Sequence, residues 1–265
     1  MFFYFKICLF CALAAVLYAL LLYLLQRCLI FVPSHRYISP AKMKNSPFTE
    51  NPLVMQDKTT VMTWYAKKDM QKPAILFFHG NALQLSAYAE QLYPFIEQGH
   101  SVLMMEYRNF GSTKGKTVQK DIFSDAVETF DWLKKQGYPE IIVYGYSYGT
   151  AVACGLTAMR KADKLILTAP FSSLLQLVKE KPVPLAGWLL KDHYLSDLYI
   201  KKYHNPLLLI HGTKDRLIPH KHSRNLYDAA ASEDKTLVLI DGVSHKPLYF
   251  EKLNHKAIFD WLKKY

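Results

Sequence analysis

Apolar residues crowd one end of this chain and then settle into short pulses. Residues 7–26 run for about twenty positions without a charge, bounded by Lys6 and Arg27. A run of that length spans the hydrocarbon core of a bilayer as a helix. A cleaved signal peptide is the competing reading. It requires a shorter apolar stretch followed by a small-residue cleavage site, and Ala12-Leu13-Ala14 lies in the middle of the run. Residues 1–32 therefore read as one uncleaved transmembrane anchor, with Tyr23 and Phe31 suited to the interface. Lys6 and the α-amino group precede the run, whereas Arg27, Arg36, Lys42 and Lys44 lie beyond it. The positive-inside rule leans toward a cytosolic position for the remainder of the chain. Residues 33–50 contain Pro33, Pro40 and Pro47 and predict an extended linker. A domain is expected over 51–265.

Within that domain the pulses alternate in period. Residues 54–67 hold two expected strands, the second over 60–66. Residues 74–78 (Ala-Ile-Leu-Phe-Phe), 101–105, 140–144, 164–168, 207–210 and 236–240 are short, apolar runs that predict buried strands. Between them, helical spacing appears over 86–98 (Tyr88, Leu92, Phe95, Ile96), 121–136, 150–160, 223–231 and 248–264. Strands alternating with helices at this spacing predict an α/β fold, a mostly parallel sheet covered on both faces. Residues 171–204, with Pro182 and Pro184, break the rhythm and predict a small cap inserted over one end of the sheet.

Composition changes this picture little. The 265 residues leave room, after the anchor, for one large domain with a full core. The formal net charge of +11 is spread along the chain rather than clustered, which fits a solvated basic face or an anionic membrane surface. No nucleic-acid motif is present. Cys8, Cys11 and Cys28 lie in or beside the apolar N-terminus and Cys154 stands alone, so no disulfide framework is implied.

The candidate chemistry lies at predicted strand ends. Gly145-Tyr146-Ser147-Tyr148-Gly149 sits between a strand and a helix. This is the context of a nucleophile elbow, in which a sharp turn exposes the serine hydroxyl above the sheet. The glycines leave room where a Cβ would clash. A serine hydroxyl needs a base near neutral pH, and the base needs an orienting carboxylate. His245 comes after the last strand and Asp215 after the strand before it, so the order Ser, Asp, His is the one expected of this arrangement. Asp241 is the rival acid, but it stands four residues before His245. An oxyanion hole calls for two N–H groups. The candidates are those of Tyr148, after the nucleophile, and Asn81, in the loop His79-Gly80-Asn81. His79 reads as a packing residue under that loop. His220 and His222 face a turn and make a poor metal site. His193, His204 and His255 read as surface or packing residues. Three residues after Ser147 stands Thr150 rather than Lys, which disfavours β-lactamase-type chemistry.

On Phe78-His79-Gly80-Asn81-Ala82, Glu106-Tyr107-Arg108-Asn109-Phe110-Gly111-Ser112, the elbow, Ala169-Pro170-Phe171-Ser172-Ser173, the stretch 211–219 and Val243-Ser244-His245, the chain resembles the α/β-hydrolase superfamily. Within it, the resemblance is to membrane-anchored members described as serine-aminopeptidase-like. It implies a serine hydrolase acting on ester, thioester or amide bonds, with no metal or organic cofactor. The departures are Glu106, Asn109 and Phe110 where the loop usually reads Asp-Tyr-Arg-Gly-Tyr-Gly, Lys246 after the histidine, and bulky Tyr148 after the serine. The expected activity is a membrane-bound carboxylic-ester or thioester hydrolase. Its substrate would be a small acyl ester, a lipid or an acylated peptide, its environment membrane lipid, and nucleic acid is not expected. An aminopeptidase or amidase is the alternative. It needs a cap acid to hold a substrate amine, and Glu180, Asp192 and Asp197 are the cap acids. A tethered binding protein without turnover is the third reading.

Overall fold

Apolar runs of five or six residues form the middle of a sheet when both faces are covered. The structure, a computed structural model, describes residues 2–250 and 252–265. Among these residues the main sheet has eight strands: β1 (Thr49–Glu50), β2 (Thr63–Ala66), β3 (Ala74–Phe78), β4 (Val102–Met105), β5 (Ile141–Tyr146), β6 (Lys164–Thr168), β7 (Leu207–Gly212) and β8 (Lys235–Ile240). Their spatial order is β8-β7-β6-β5-β3-β4-β2-β1. Strands β3 to β8 are mutually parallel, and the two antiparallel pairings of the sheet are β1 with β2 and β2 with β4.

The principal helices are α1 (Phe2–Ile30), α2 (Tyr93–Glu97), α3 (Gln119–Lys134), α4 (Tyr148–Thr157), α5 (Leu174–Lys179), α6 (Ala186–Leu189), α7 (Ser196–Tyr199), α8 (Lys221–Ala229), α9 (His245–Phe250) and α10 (Lys252–Leu262). Alternate strand residues feed two cores. Leu76, Phe78, Val143, Leu165 and Leu209 pack with α3, α4 and α8. Ile75, Phe77, Tyr144, Ile166 and Ile210 pack with α2 and α10. Each fully buried side chain of this size contributes about 1.5–3 kcal/mol. This is an α/β-hydrolase fold, with the parallel sheet predicted from the strand and helix pulses.

Several boundaries differ from the sequence reading. The helix predicted over 86–98 is two 3₁₀ turns, Leu85–Ala87 and Ala89–Leu92, leading into α2. Pro94 has no N–H to donate and its ring clashes with the preceding turn, so the α-helix starts afresh around it. The closing helix predicted over 248–264 is found as α9 and α10, with residue 251 outside the described residues.

The stretch 33–50, predicted as a linker, is docked against the domain. Val32–Pro33 pairs with Ala82–Leu83. Phe48 is buried against Trp64 and Tyr93, with ring centroids 6.2 and 6.3 Å away. Thr49–Glu50 is itself the edge strand of the sheet. Proline is tolerated beside an edge strand because no ladder needs its missing N–H there.

Helix α1 is long and apolar enough to cross a membrane, with a mean hydropathy of 2.6 in its most apolar window and none of that window buried in the protein. Its last turn is held by the domain. Gln26 donates to the Leu189 carbonyl at 3.0 Å and accepts from the Lys191 N–H at 2.7 Å, and Arg27 pairs with Asp192 at 2.8 Å. Phe31, just beyond the helix, is buried edge-on against Tyr148 at 5.0 Å and Phe110 at 6.3 Å. Helices α5, α6 and α7 lie between β6 and β7, in the stretch predicted to form a cap.

Candidate active site

The elbow is built by close backbone packing. Strand β5 ends at Tyr146 and α4 begins at Tyr148, which leaves Ser147 alone to reverse the chain. Its φ is +52° and ψ is −118°, a region L-residues rarely occupy. The Ser147 N–H donates to the Thr168 carbonyl at 2.8 Å, and this bond to β6 holds the turn. A Cβ on Gly145 would lie 2.5 Å from the Gly149 carbonyl oxygen. One on Gly149 would lie 2.0 Å from the Phe78 oxygen and 2.7 Å from that of His79. The elbow thus touches the backbone at the end of β3. Gly149→Ala must force α4 away from β3, and it is expected to cost about 3 kcal/mol or more in urea unfolding.

Three strand ends converge here. Ser147 Oγ lies 2.9 Å from His245 Nε2, and His245 Nδ1 lies 2.6 Å from Asp215 Oδ2. All three residues are under a tenth exposed. His245 opens α9, and its ring stacks at 5.7 Å on Tyr146. Asp215 is fixed on its other side, since Oδ1 accepts the N–H groups of Leu217 at 2.9 Å and Ile218 at 2.8 Å. Burial favours the neutral acid. Hydrogen bonds from His211, His245 and the Ile218 N–H, with the charge His245 can carry, outweigh it and hold this carboxyl well below the usual carboxylate range. Asp215 is therefore an anion throughout the neutral range. Asp241, the rival acid, instead accepts from the Thr213 hydroxyl at 2.8 Å.

The loop 79–82 lies beside the elbow. His79 is fully buried, 2.9 Å from the Glu106 carboxylate and packed with its ring tilted at 4.2 Å against Tyr107, whose hydroxyl donates to the His79 carbonyl at 2.8 Å. Glu106 also accepts the Leu85 N–H at 3.2 Å. It braces this loop from beneath. Asn81 is tied to the end of α1 twice: its side-chain amide donates to the Ile30 carbonyl, and its own carbonyl accepts the Val32 N–H at 2.9 Å. Tyr148 is buried between Phe31, Tyr107 and Tyr194, and its hydroxyl donates to that of Tyr194. The bulk after the serine is thus a strut rather than an obstruction. As the first residue of α4, Tyr148 has an N–H beyond the reach of the intrahelical ladder.

Two histidines carry more than their sequence context suggested. His211, at the end of β7, lies 3.2 Å from Asp215 Oδ2 and donates to the Ile218 carbonyl at 2.8 Å, which fixes the Asp215 loop. Its place at a strand end, four residues before Asp215, was the available signal. His222 does not face a turn; it is buried under the cap, 2.8 Å from the Ser172 hydroxyl and 3.3 Å from Glu180. Burial pushes its imidazole below the ordinary value, so it remains neutral near pH 7.

A hydroxyl, an imidazole and a carboxylate in hydrogen-bonded series above a parallel sheet can pass a proton from nucleophile to leaving group. Fold and family match together define the protein as an α/β hydrolase. Residues 69–205 and 199–252 match the family described as serine aminopeptidase, S33, and the chain belongs to that family. An uncharacterised protein of Mycobacterium tuberculosis is 32% identical over 91% of this chain and 86% of its own length. The lysophosphatidylserine lipase ABHD12 of Danio rerio is 29% identical over 63% of this chain, which spans 50% of that protein. Among solved structures, the Pyrococcus furiosus esterase Pf2001 superposes with a TM-score of 0.70 at 19% identity, covering 88% of this chain and 99% of that one.

Proposed function

We propose that this protein is a membrane-anchored serine hydrolase that cleaves carboxylic-ester or thioester bonds of single-chain acyl lipids. The observation that carries the reading is the series Ser147 Oγ, His245 Nε2, His245 Nδ1, Asp215 Oδ2, with links of 2.9 and 2.6 Å. In the forward step the Ser147 oxygen attacks the acyl carbonyl carbon while its proton passes to His245 Nε2. The oxyanion is met by the N–H groups of Asn81 and Tyr148. Its collapse breaks the bond to the alcohol or thiol, which leaves with the proton from His245. Water then attacks the acyl-enzyme by the same route, releasing a fatty acid and restoring Ser147. Asp215 holds the Nδ1–H tautomer and stabilises the imidazolium.

The cap favours esters over amides with a free amine. An aminopeptidase needs an uncommitted acid there. Glu180 is engaged by Lys221 at 3.0 Å and His222 at 3.3 Å, and Asp192 by Arg27 at 2.8 Å and the Gln119 N–H at 3.2 Å. Asp197 accepts the Leu198 N–H at 3.0 Å. The membrane-crossing length of α1 and the lipase among the relatives support a lipid substrate. The test is a substrate panel with the detergent-purified full chain: lysophospholipids, acyl thioesters and aminoacyl amides. Ester or thioester turnover is expected to exceed amide turnover by at least about 10²-fold in kcat/KM. Equal or faster amide cleavage would put the aminopeptidase reading in its place.

A further inference from the structure

The cap does not stop at the mouth of the site; part of it climbs the side of α1. The Tyr18 hydroxyl donates to the Pro184 carbonyl at 3.0 Å. Tyr18 lies twelve residues before the helix end at Ile30, which is about 18 Å along the axis. It also lies near the middle of the uncharged run 7–26. A hydrocarbon core of about 30 Å centred on that run therefore contains Pro184 as well. The cap side chains at this level suit such a position. Trp188 is 90% exposed, Leu185 50% and Val183 42%. Nearer the helix end the chemistry turns interfacial: the Lys191 ammonium sits 3.8 Å from the Tyr23 ring, and Arg27 pairs with Asp192.

Between this tip and α1 runs a groove of about 160 Å³ with almost wholly apolar walls. Leu22, Leu29 and Ile30 form one side, Val178, Ala186 and Leu189 the other. Its inner end meets two loops of the candidate site. The Ile30 carbonyl accepts from Asn81, and Lys181, on the groove wall, donates to the carbonyl of Leu217, two residues past Asp215. The groove thus begins beside the bilayer-crossing part of α1 and ends against the loops that carry Asn81 and Asp215.

We propose that the cap tip, residues 182–190, dips into the leaflet entered by α1, and that the groove receives one acyl chain of a bilayer lipid and leads its ester toward Ser147. The inference deepens the acyl-hydrolase reading and rests on it for the identity of the reacting bond. The anchor is then one wall of the substrate path as well as a tether. A chain passing from bilayer to groove stays in apolar surroundings throughout, so entry exposes no additional hydrocarbon to water.

Two measurements test it separately from catalysis. The full chain is reconstituted in phosphatidylcholine vesicles carrying lipids brominated in the middle of the acyl chain. Tryptophan emission is expected to be quenched, and the quenched component to disappear in Trp188→Phe, because Trp64 and Trp261 are buried in the domain and Trp132 is partly buried. Identical quenching in the two proteins, or none in either, overturns the dipping tip. In the second measurement, Ala186→Phe fills the groove from the cap and Leu22→Trp fills it from α1. The ratio of kcat/KM for dodecanoyl over butanoyl esters is expected to fall at least tenfold in each. An unchanged ratio in a folded variant overturns the groove while leaving the hydrolase standing. If the wild type cleaves neither ester, the acyl-hydrolase reading has failed and the groove's catalytic role falls with it, while the quenching result still decides the placement of the tip.

Discussion

Ser147→Ala is expected to lower kcat toward any acyl ester by about 10⁴-fold or more and to abolish labelling by a fluorophosphonate probe. The reason is local. Ser147 carries the hydroxyl that lies 2.9 Å from His245 Nε2, on a backbone with φ of +52°. Alanine accepts the same backbone at no greater steric cost, and the turn keeps the Ser147 N–H bond to Thr168. The thermal midpoint should therefore move by only a few degrees. Loss of labelling with an unchanged midpoint assigns the nucleophile. Full activity in the variant would remove Ser147 from the mechanism. A folded wild type that neither labels nor turns over would favour a tethered binding protein of the same fold.

The second large effect belongs to Asp215→Asn, expected to reduce kcat by about 10⁴-fold with little change in shape. Oδ1 of Asp215 accepts two backbone N–H groups, so the amide oxygen of asparagine takes that place. The amide nitrogen then faces His245 Nδ1 and His211 Nε2, where a carboxylate oxygen now accepts. Donor meets donor, and His245 is driven to carry its proton on Nε2. An Nε2–H cannot take a proton from Ser147. Fluorophosphonate labelling rates of the two proteins measure this directly. The same exchange has a pH signature in stability. The folded-state pKa of Asp215 lies below its unfolded value of about 4. Its ionised form therefore stabilises the fold at pH values above about 4, and that contribution is lost as pH falls through the folded value. The urea stability gap between wild type and Asp215→Asn should accordingly narrow at pH 3 relative to pH 7. A gap that widened on acidification would contradict the bonding described for this carboxylate.

Much of the fold was legible because it is written in short range. Ile141 to Tyr144 is continuously apolar and leads at once into Gly-Tyr-Ser-Tyr-Gly, so strand, elbow and helix lie in one stretch of chain. Strands β6, β7 and β8 are equally self-announcing, being apolar on both faces. The periodicity of Tyr88, Leu92 and Phe95 predicts a helix over 86–98 and hides the effect of Pro94. The edge strand β1 leaves no mark in the sequence for another reason. Thr49 and Glu50 are exposed, and only pairing with Tyr65 and Trp64 makes them a strand. His222 read as a turn residue because nothing in Pro219-His220-Lys221-His222 shows that Ser172 and Glu180 will cover it.

The sequence by itself determined the parallel sheet, the apolar N-terminal helix and the set Ser147, Asp215 and His245, because each depends on apolar periodicity or on residues at the ends of strands. The tertiary structure alone decided how the N-terminal helix meets the domain. Gln26 and Arg27 reach Leu189 and Asp192 across more than 160 residues of chain, and Ile30 holds Asn81 across 51. Such pairings arise from the docking of whole elements, and no local period records which surfaces will meet. Docking of this kind also commits Glu180 and Asp192 and shapes the groove beside α1, so the features proposed to select the substrate emerge only when distant parts of the chain are packed together.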